Sequence, residues 1–262
     1  MQDILAIASG AVVGFVLGLI GGGGSIMAVP LLVYVVGVPS PHVAIGTGAV
    51  AVGLNALASL IGHARIGNVR WPCALTFAAC GILGAAIGST LGKRFDGQYL
   101  LTLFGVLMIV VAALMLKRRT QSAQAFVPLT SQSAGRLVPR LAGTGLGVGA
   151  LSGFFGIGGG FLIVPGLVAS SGMPLISAVG SSLVSVTAFG LTTAANYAIS
   201  GLIDWRLVAL FVLGGILGSI FGSRLATHLS RQRQMLSLVF AGIVATVGVY
   251  VVIRGLMGGP GH

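Results

Sequence analysis

The chain has 262 residues, of which 56% are hydrophobic and only 6% charged, with a mean hydropathy of +1.08. A soluble domain carries about 25% charged residues, so this composition excludes a water-facing globular fold and predicts an all-α polytopic membrane protein. The net charge of +11 comes from basic residues scattered over short loops, without a basic stripe interleaved with aromatics, which excludes nucleic-acid binding.

In chain order, residues 4–20 form the first apolar segment, expected to be retained rather than cleaved as a signal peptide because no basic region precedes it. Gly10, Gly14 and Gly18 share one face of it at i+4 spacing, which suits a close helix crossing. The run Gly21-Gly22-Gly23-Gly24-Ser25 then breaks the segment, and residues 25–37 are too short to span comfortably, reading as a half-helix or re-entrant segment. Pro39-Ser40-Pro41 stops it. Residues 42–63 are long enough to span and carry Gly46, Thr47 and Asn55. Residues 71–92 span again, with Trp71 at the water boundary and a stripe of Gly84, Gly88 and Gly92. Residues 99–116 complete this half.

A polar stretch, 120–139, reads as a linker between a first repeat (1–119) and a second (140–262). The pattern then restarts. Gly156, Gly158, Gly159 and Pro165 repeat Gly21, Gly23, Gly24 and Pro30, while Gly145, Gly149 and Gly153 repeat the first glycine stripe. Gly180-Ser181 repeats Gly46-Thr47, and the Gly201–Trp205 loop repeats Gly67–Trp71. Two duplicated halves of four to five helical segments each are therefore expected. If the short segments do not cross, the halves are parallel; if they cross, the halves are inverted. The inverted arrangement puts ten of the 14 lysines and arginines on one side and is favoured over the parallel one.

Glutamate is absent and the only acidic residues are Asp3, Asp96 and Asp204, all at segment ends. No aspartyl dyad, serine–histidine pair or metal cluster can be assembled within the membrane, so no enzyme, cofactor or metal is expected. Cys73 and Cys80 share a helix face without a CxxC or Cys/His cluster and read as packing residues.

The polar inventory at membrane depth points to a small anion. A helix that begins after a glycine break offers unpaired N–H groups and the positive end of its dipole, and glycine lets a ligand approach that backbone. The candidate substrate contacts are Gly21, Gly23, Gly24, Ser25, Gly46, Thr47 and Asn55, with Gly156, Gly158, Gly159, Gly160, Gly180, Ser181, Ser182 and Asn196 in the second half. Each also has a plainer reading, as a packing glycine or as a hydroxyl bonded to its own helix. Arg65, Arg70 and Arg206 are candidates for an electrostatic entrance or for topology determinants. Pro30, Pro165, Trp71 and Trp205 are assigned structural roles, and Asp204 and Arg206 either pair or cap a helix start.

The two glycine–proline stretches, the GTG and GSS runs after them and the Gly–x–x–x–Trp loops resemble the sulfite exporter TauE/SafE family of membrane permeases, from about Ile4 to Ile253 and leaving out the linker. The first copy departs from the second in having Gly22 for Ile157 and Ser25 for Gly160, which predicts unequal half-sites. The resemblance implies a plasma-membrane, multi-pass transporter, in the inner membrane if bacterial, acting on sulfite, an organosulfonate or a related sulfur or carboxylate anion. The lack of buried carboxylates favours export down the membrane potential. The alternatives are an uptake permease coupled to Na⁺ or H⁺, with backbone carbonyls at the breaks holding the cation, and a non-transporting membrane subunit.

Overall fold

A computed structural model describes residues 1–20, 22–117, 133–156, 158–228 and 233–257, which are helical almost throughout and contain no strand. The first half comprises α1 (Gln2–Ile20), a broken segment α2, α3 (Pro41–Arg65), α4 (Trp71–Gly92) and α5 (Gly97–Lys117). α2 joins a 3-10 stretch Gly22–Met27, one α turn Ala28–Pro30 and a π stretch Leu31–Val35. There follow α6 (Ala134–Phe155), α7 (Gly160–Ser171), α8 (Leu175–Ile199), α9 (Trp205–His228) and α10 (Arg233–Met257). α6 thus begins inside the polar stretch 120–139, whose residues 120–132 lie outside the described part along with 118 and 119.

The local chemistry explains the helix ends. Ser40 accepts from the Val43 N–H at 3.4 Å with Pro41 in the first helical position of α3. Asp96 accepts from the N–H groups of Gln98 and Tyr99 at the start of α5. Asp204 accepts from the Leu207 N–H at 3.0 Å at the start of α9. Arg206 pairs instead with Asp3, at 2.7 Å, tying the first turns of α1 and α9 together. All three carboxylates are thereby engaged at helix N-termini, where the dipole favours negative charge.

Among the described residues, six helices are long and apolar enough to cross a membrane. Their outward faces carry large apolar side chains such as Leu75, Leu83 and Ile87 on α4 and Leu213, Leu217 and Phe221 on α9. Such contiguous apolar surface is stable only against lipid or another apolar partner. The protein is a multi-pass membrane protein.

The glycine stripes form two tight crossings. A Cβ at Gly10, Gly14 or Gly18 would run into the backbone of Phe211, Gly215 or Ser219, and one at Gly214, Gly218 or Gly222 into that of Ile7, Ala11 or Phe15. The second crossing repeats the first: Gly145, Gly149 and Gly153 of α6 lie on the backbone of Phe77, Gly81 and Ala85 of α4. The first helix of each half therefore packs on the fourth helix of the other. With lipid as apolar as leucine, close backbone approach is what such contacts gain from.

The order of these contacts gives the helix directions. α1 and α9 run parallel, as do α4 and α6. α3 runs parallel to α9, with Thr47 beside Asp204 and Asn55 beside Gly215. α8 runs parallel to α4, with Phe189 beside Gly81 and Asn196 beside Ser89. α3 and α8 are antiparallel, Gly46 lying by Leu202, Gly53 by Gly190 and Gly180 by Asn68. α5 and α10 are antiparallel too, Gly105 lying by Val252 and Gly255 by Thr102. Because α1 and α3 share a direction, α2 with the turn after it returns the chain to the face where α1 began. α7 does the same between α6 and α8.

Candidate functional site

α3 and α8 are the most enclosed of the six long apolar helices, and the glycine breaks are held against them. α7 packs on the 3-10 stretch of α2, so the two breaks meet. Gly158 has φ +64°, a left-handed conformation that side chains resist, and a Cβ there would sit 3.1 Å from Val52 and 3.2 Å from Val186. Those valines are separated by the same offset that relates Gly46 to Gly180, so Gly158 lies on the seam where matching positions of the two halves face each other. Gly156 abuts Ile45 on α3. Gly159, at φ 64°, precedes α7, and no side chain caps that end. The Leu162 and Ile163 N–H groups bond the Gly159 carbonyl, at 2.9 and 3.0 Å, so Gly160 and Phe161 are the residues of the first turn that a capping side chain would otherwise serve.

Gly23, Gly24, Ser25, Gly158, Gly159 and Gly160 are all buried, as is Pro30; Pro165 is half-buried within α7. Gly21 and Ile157 lie outside the described residues. Three of the hydroxyls assigned to the same site, Thr47, Ser181 and Ser182, make hydrogen bonds within the protein. Thr47 accepts the Asp204 N–H at 3.0 Å, and Ser181 accepts the Arg70 N–H at 2.9 Å. Their neighbours Gly46 and Gly180 let those loops close on α3 and α8, at the Leu202 and Asn68 carbonyls. Each hydroxyl is thus an acceptor holding the loop of the opposite half, and the two latches lie at opposite ends of the helix bundle. Ser182 donates to its own helix at the Val179 carbonyl, 2.8 Å away.

Asn55 is fully buried against Gly215 of α9, and neither atom of its amide has a partner. Asn196 belongs to a separate polar cluster. It accepts from Lys93 Nζ at 2.7 Å through Oδ1 and donates from Nδ2 to Ser89 at 2.6 Å and Thr90 at 2.9 Å. Lys93 also donates to the Asn196 carbonyl at 3.0 Å and to Ser200 at 2.8 Å, and lies over the Tyr197 ring. This clamp joins the last turns of α4 and α8. The matching positions in the other half hold Thr227, Gly62 and Ile66, which cannot reproduce it.

Arg65 and Arg70 are exposed at the ends of α3 and of the following loop, on the opposite face from Lys93, and Arg206 is exposed beside Asp3. Trp71 and Trp205 are exposed in the first turns of α4 and α9. The sequence reading missed Ser152, Ser185 and Thr193, which are buried with unpartnered hydroxyls. Nothing in their spacing separates them from ordinary helix serines and threonines. Two shallow outer depressions, of about 370 and 360 Å³, are lined by α4 and by α1 with α9, and neither includes a glycine-break residue.

The sequence model of the family described as Sulfite exporter TauE/SafE matches residues 6–251. The chain belongs to this family. A relative from Xylella fastidiosa (strain Temecula1), named a probable membrane transporter protein, is 51% identical over 251 residues, covering 96% of this chain and 95% of the relative. Another, from Bacillus subtilis and named probable membrane transporter protein YunE, is 27% identical over 275 residues, covering 98% and 99%. A third, from Haemophilus influenzae, is 30% identical over 207 residues, covering 76% and 74%, and carries the same general name. No solved structure matches. As a TauE/SafE protein of this length and architecture, the chain is a membrane transporter.

Proposed function

We propose that this transporter exports a small sulfur-containing anion, sulfite or an organosulfonate, down the membrane potential, through a site at the meeting point of the two glycine breaks. The observation that carries the reading is the start of α7, which no side chain caps, buried at the seam between the halves beside Gly158 and Gly159. Backbone N–H groups and a helix dipole there bind negative charge without a buried cation. The acidic residues support the same reading, since all three are engaged at helix ends and none lies at membrane depth to relay a proton.

The halves are read as an inverted repeat of five traverses each. The parallel direction of α1 and α3, and of α6 and α8, supports this, because α2 and α7 must then carry the chain back across. The face holding Arg65, Arg70, Arg136, Arg140 and Arg224 is taken as cytoplasmic by the positive-inside rule. The Lys93 clamp then closes the outer face. The Thr47 and Ser181 latches, one at each end, are the natural parts to open in turn.

An inside-negative potential drives a monovalent anion outward by about 2.3 kcal/mol per 100 mV, roughly a fiftyfold gradient. Sulfite flux in proteoliposomes with an imposed potential tests this. The expected result is flux that follows the potential in that proportion. Flux that ignores the potential, or that requires Na⁺ or a pH gradient, selects coupled uptake instead.

A further inference from the structure

We infer that Ser152 supplies a hydroxyl contact to the transported anion, making the site lopsided toward the second glycine break. This deepens the transport reading above and rests on it. Ser152, in the last turn of α6, is fully buried and its Oγ has no hydrogen-bond partner. Ser170, Ser171, Thr187 and Thr192 by contrast each donate to the carbonyl four residues back, and Ser152 shares its unpartnered state only with Ser185 and Thr193 among the buried serine and threonine hydroxyls described. A buried hydroxyl without a partner carries a desolvation cost that calls for an explanation.

Its position supplies one. Gly159 caps nothing with a side chain, and a Cβ at that residue would lie 2.8 Å from Ser152 Oγ. The hydroxyl therefore stands beside the start of α7, a helix of 12 residues whose opening N–H groups lack a side-chain cap. The Ser152 O–H and the first-turn N–H groups of Gly160 and Phe161, which no side chain caps, are thus neighbours at the positive end of a dipole, with no carboxylate beside them. Such a donor set takes a small oxyanion and disfavours a metal or alkali cation. The matching position beside the first break is Leu17, fully buried, whose backbone N would lie 2.6 Å from a Cβ at Gly24. At this position only the second break has a hydroxyl, while the first break carries its own, Ser25, at the place of Gly160, so the pseudo-symmetry of the halves is broken at the atoms that would touch the ligand.

The test is thermal-shift titration of the purified full chain with sulfite, sulfate, thiosulfate, taurine and sulfoacetate, using wild type, Ser152→Ala and, as a control, Ser170→Ala. The expected result is stabilisation of wild type and Ser170→Ala by at least one of these anions, with Ser152→Ala weakened about tenfold or more for that anion. The anion-free unfolding midpoint of Ser152→Ala should stay at the wild-type value, because no protein partner is lost. Equal affinities for wild type and Ser152→Ala overturn the role of Ser152 and leave the transport reading standing. No response of wild type to any of the five overturns both. Should Ser152→Ala lose stability, Ser152→Cys carries the test: an anionic methanethiosulfonate reagent should label the thiol in liposomes, and the bound anion should protect it. Labelling without protection overturns the proposal.

Discussion

Gly147 and Gly149 stand two residues apart in α6 and provide an internally controlled measure of how closely that helix meets α4. A Cβ at Gly147 meets nothing within 4 Å, whereas one at Gly149 would overlap the Gly81 carbonyl oxygen and lie 2.7 Å from its C and Cα atoms. Carbon atoms in contact prefer about 3.5–4.0 Å, so Gly149→Ala forces the helices apart by roughly 1 Å. Both substitutions gain the same helix propensity, about 0.5–1 kcal/mol, and that gain cancels in the comparison. What remains is the overpacking cost, about 1–3 kcal/mol, set against Gly149→Ala alone. No side chain at Gly81 can rotate away, which places the expected value toward the upper end. The assay is unfolding of the two variants in one detergent. Gly149→Ala should unfold at clearly lower temperature or denaturant than Gly147→Ala, and Gly14→Ala, whose Cβ meets Gly215 in the same way, should fall with it. Equal midpoints for Gly147→Ala and Gly149→Ala would refute the close crossing and, with it, the placement of Ser152 and the second break by α6.

Lys93→Met removes three hydrogen bonds from one ammonium and should cost about 1–2 kcal/mol, reduced from the buried value because the clamp is partly exposed; unfolding midpoints read this, and an unchanged midpoint argues that the clamp is not formed. In liposomes the same variant should raise cysteine labelling at the Lys93 face and leave the Arg70 face unchanged. Thr47→Val and Ser181→Ala each release one buried-end N–H, of Asp204 and Arg70 respectively, at about 1–3 kcal/mol, and should increase water access at opposite faces of the protein when probed by site-directed labelling. Access rising at the same face in both would exclude paired latches. Gly158→Ala adds a left-handed strain of about 1–2 kcal/mol and a methyl pressed between Val52 and Val186, so flux should be lost while membrane insertion, read by fractionation, persists.

Much of the frame was legible in the residues because lipid is an unforgiving solvent: apolar runs of sufficient length have few other uses, and glycine at i+4 spacing within them marks a contact. The stripes Gly10-Gly14-Gly18 and Gly145-Gly149-Gly153 are contacts. Their partners were not legible, since nothing in a stripe says which second stripe it meets, and here each meets the fourth helix of the other half. The hydroxyls show the same limit. The depth and repetition of Thr47 and Ser181 mark them as polar contacts, but not that each oxygen accepts a loop N–H of the other half, because that partner lies more than a hundred residues away in the chain. Ser152 carried no signal at all, because one serine near a helix end is commonplace until its neighbours are known. The sequence allows Asp204 either to pair or to cap; it caps, and the Arg206 side chain reaches the first turn of α1 instead.

The exchange of helices between halves has a consequence for synthesis. α1 leaves the ribosome before its partner α9, which emerges about 200 residues later, and at about 5–20 residues per second that is a delay of roughly 10–40 s. For that interval Gly10, Gly14 and Gly18 present a bare backbone groove to the bilayer, with nothing of the same chain yet available to fill it. A fourth helix from another copy, made nearby on the same message, would fit it equally well. Local crowding of nascent chains, more than the strength of any single contact, should therefore govern how much of this protein assembles correctly.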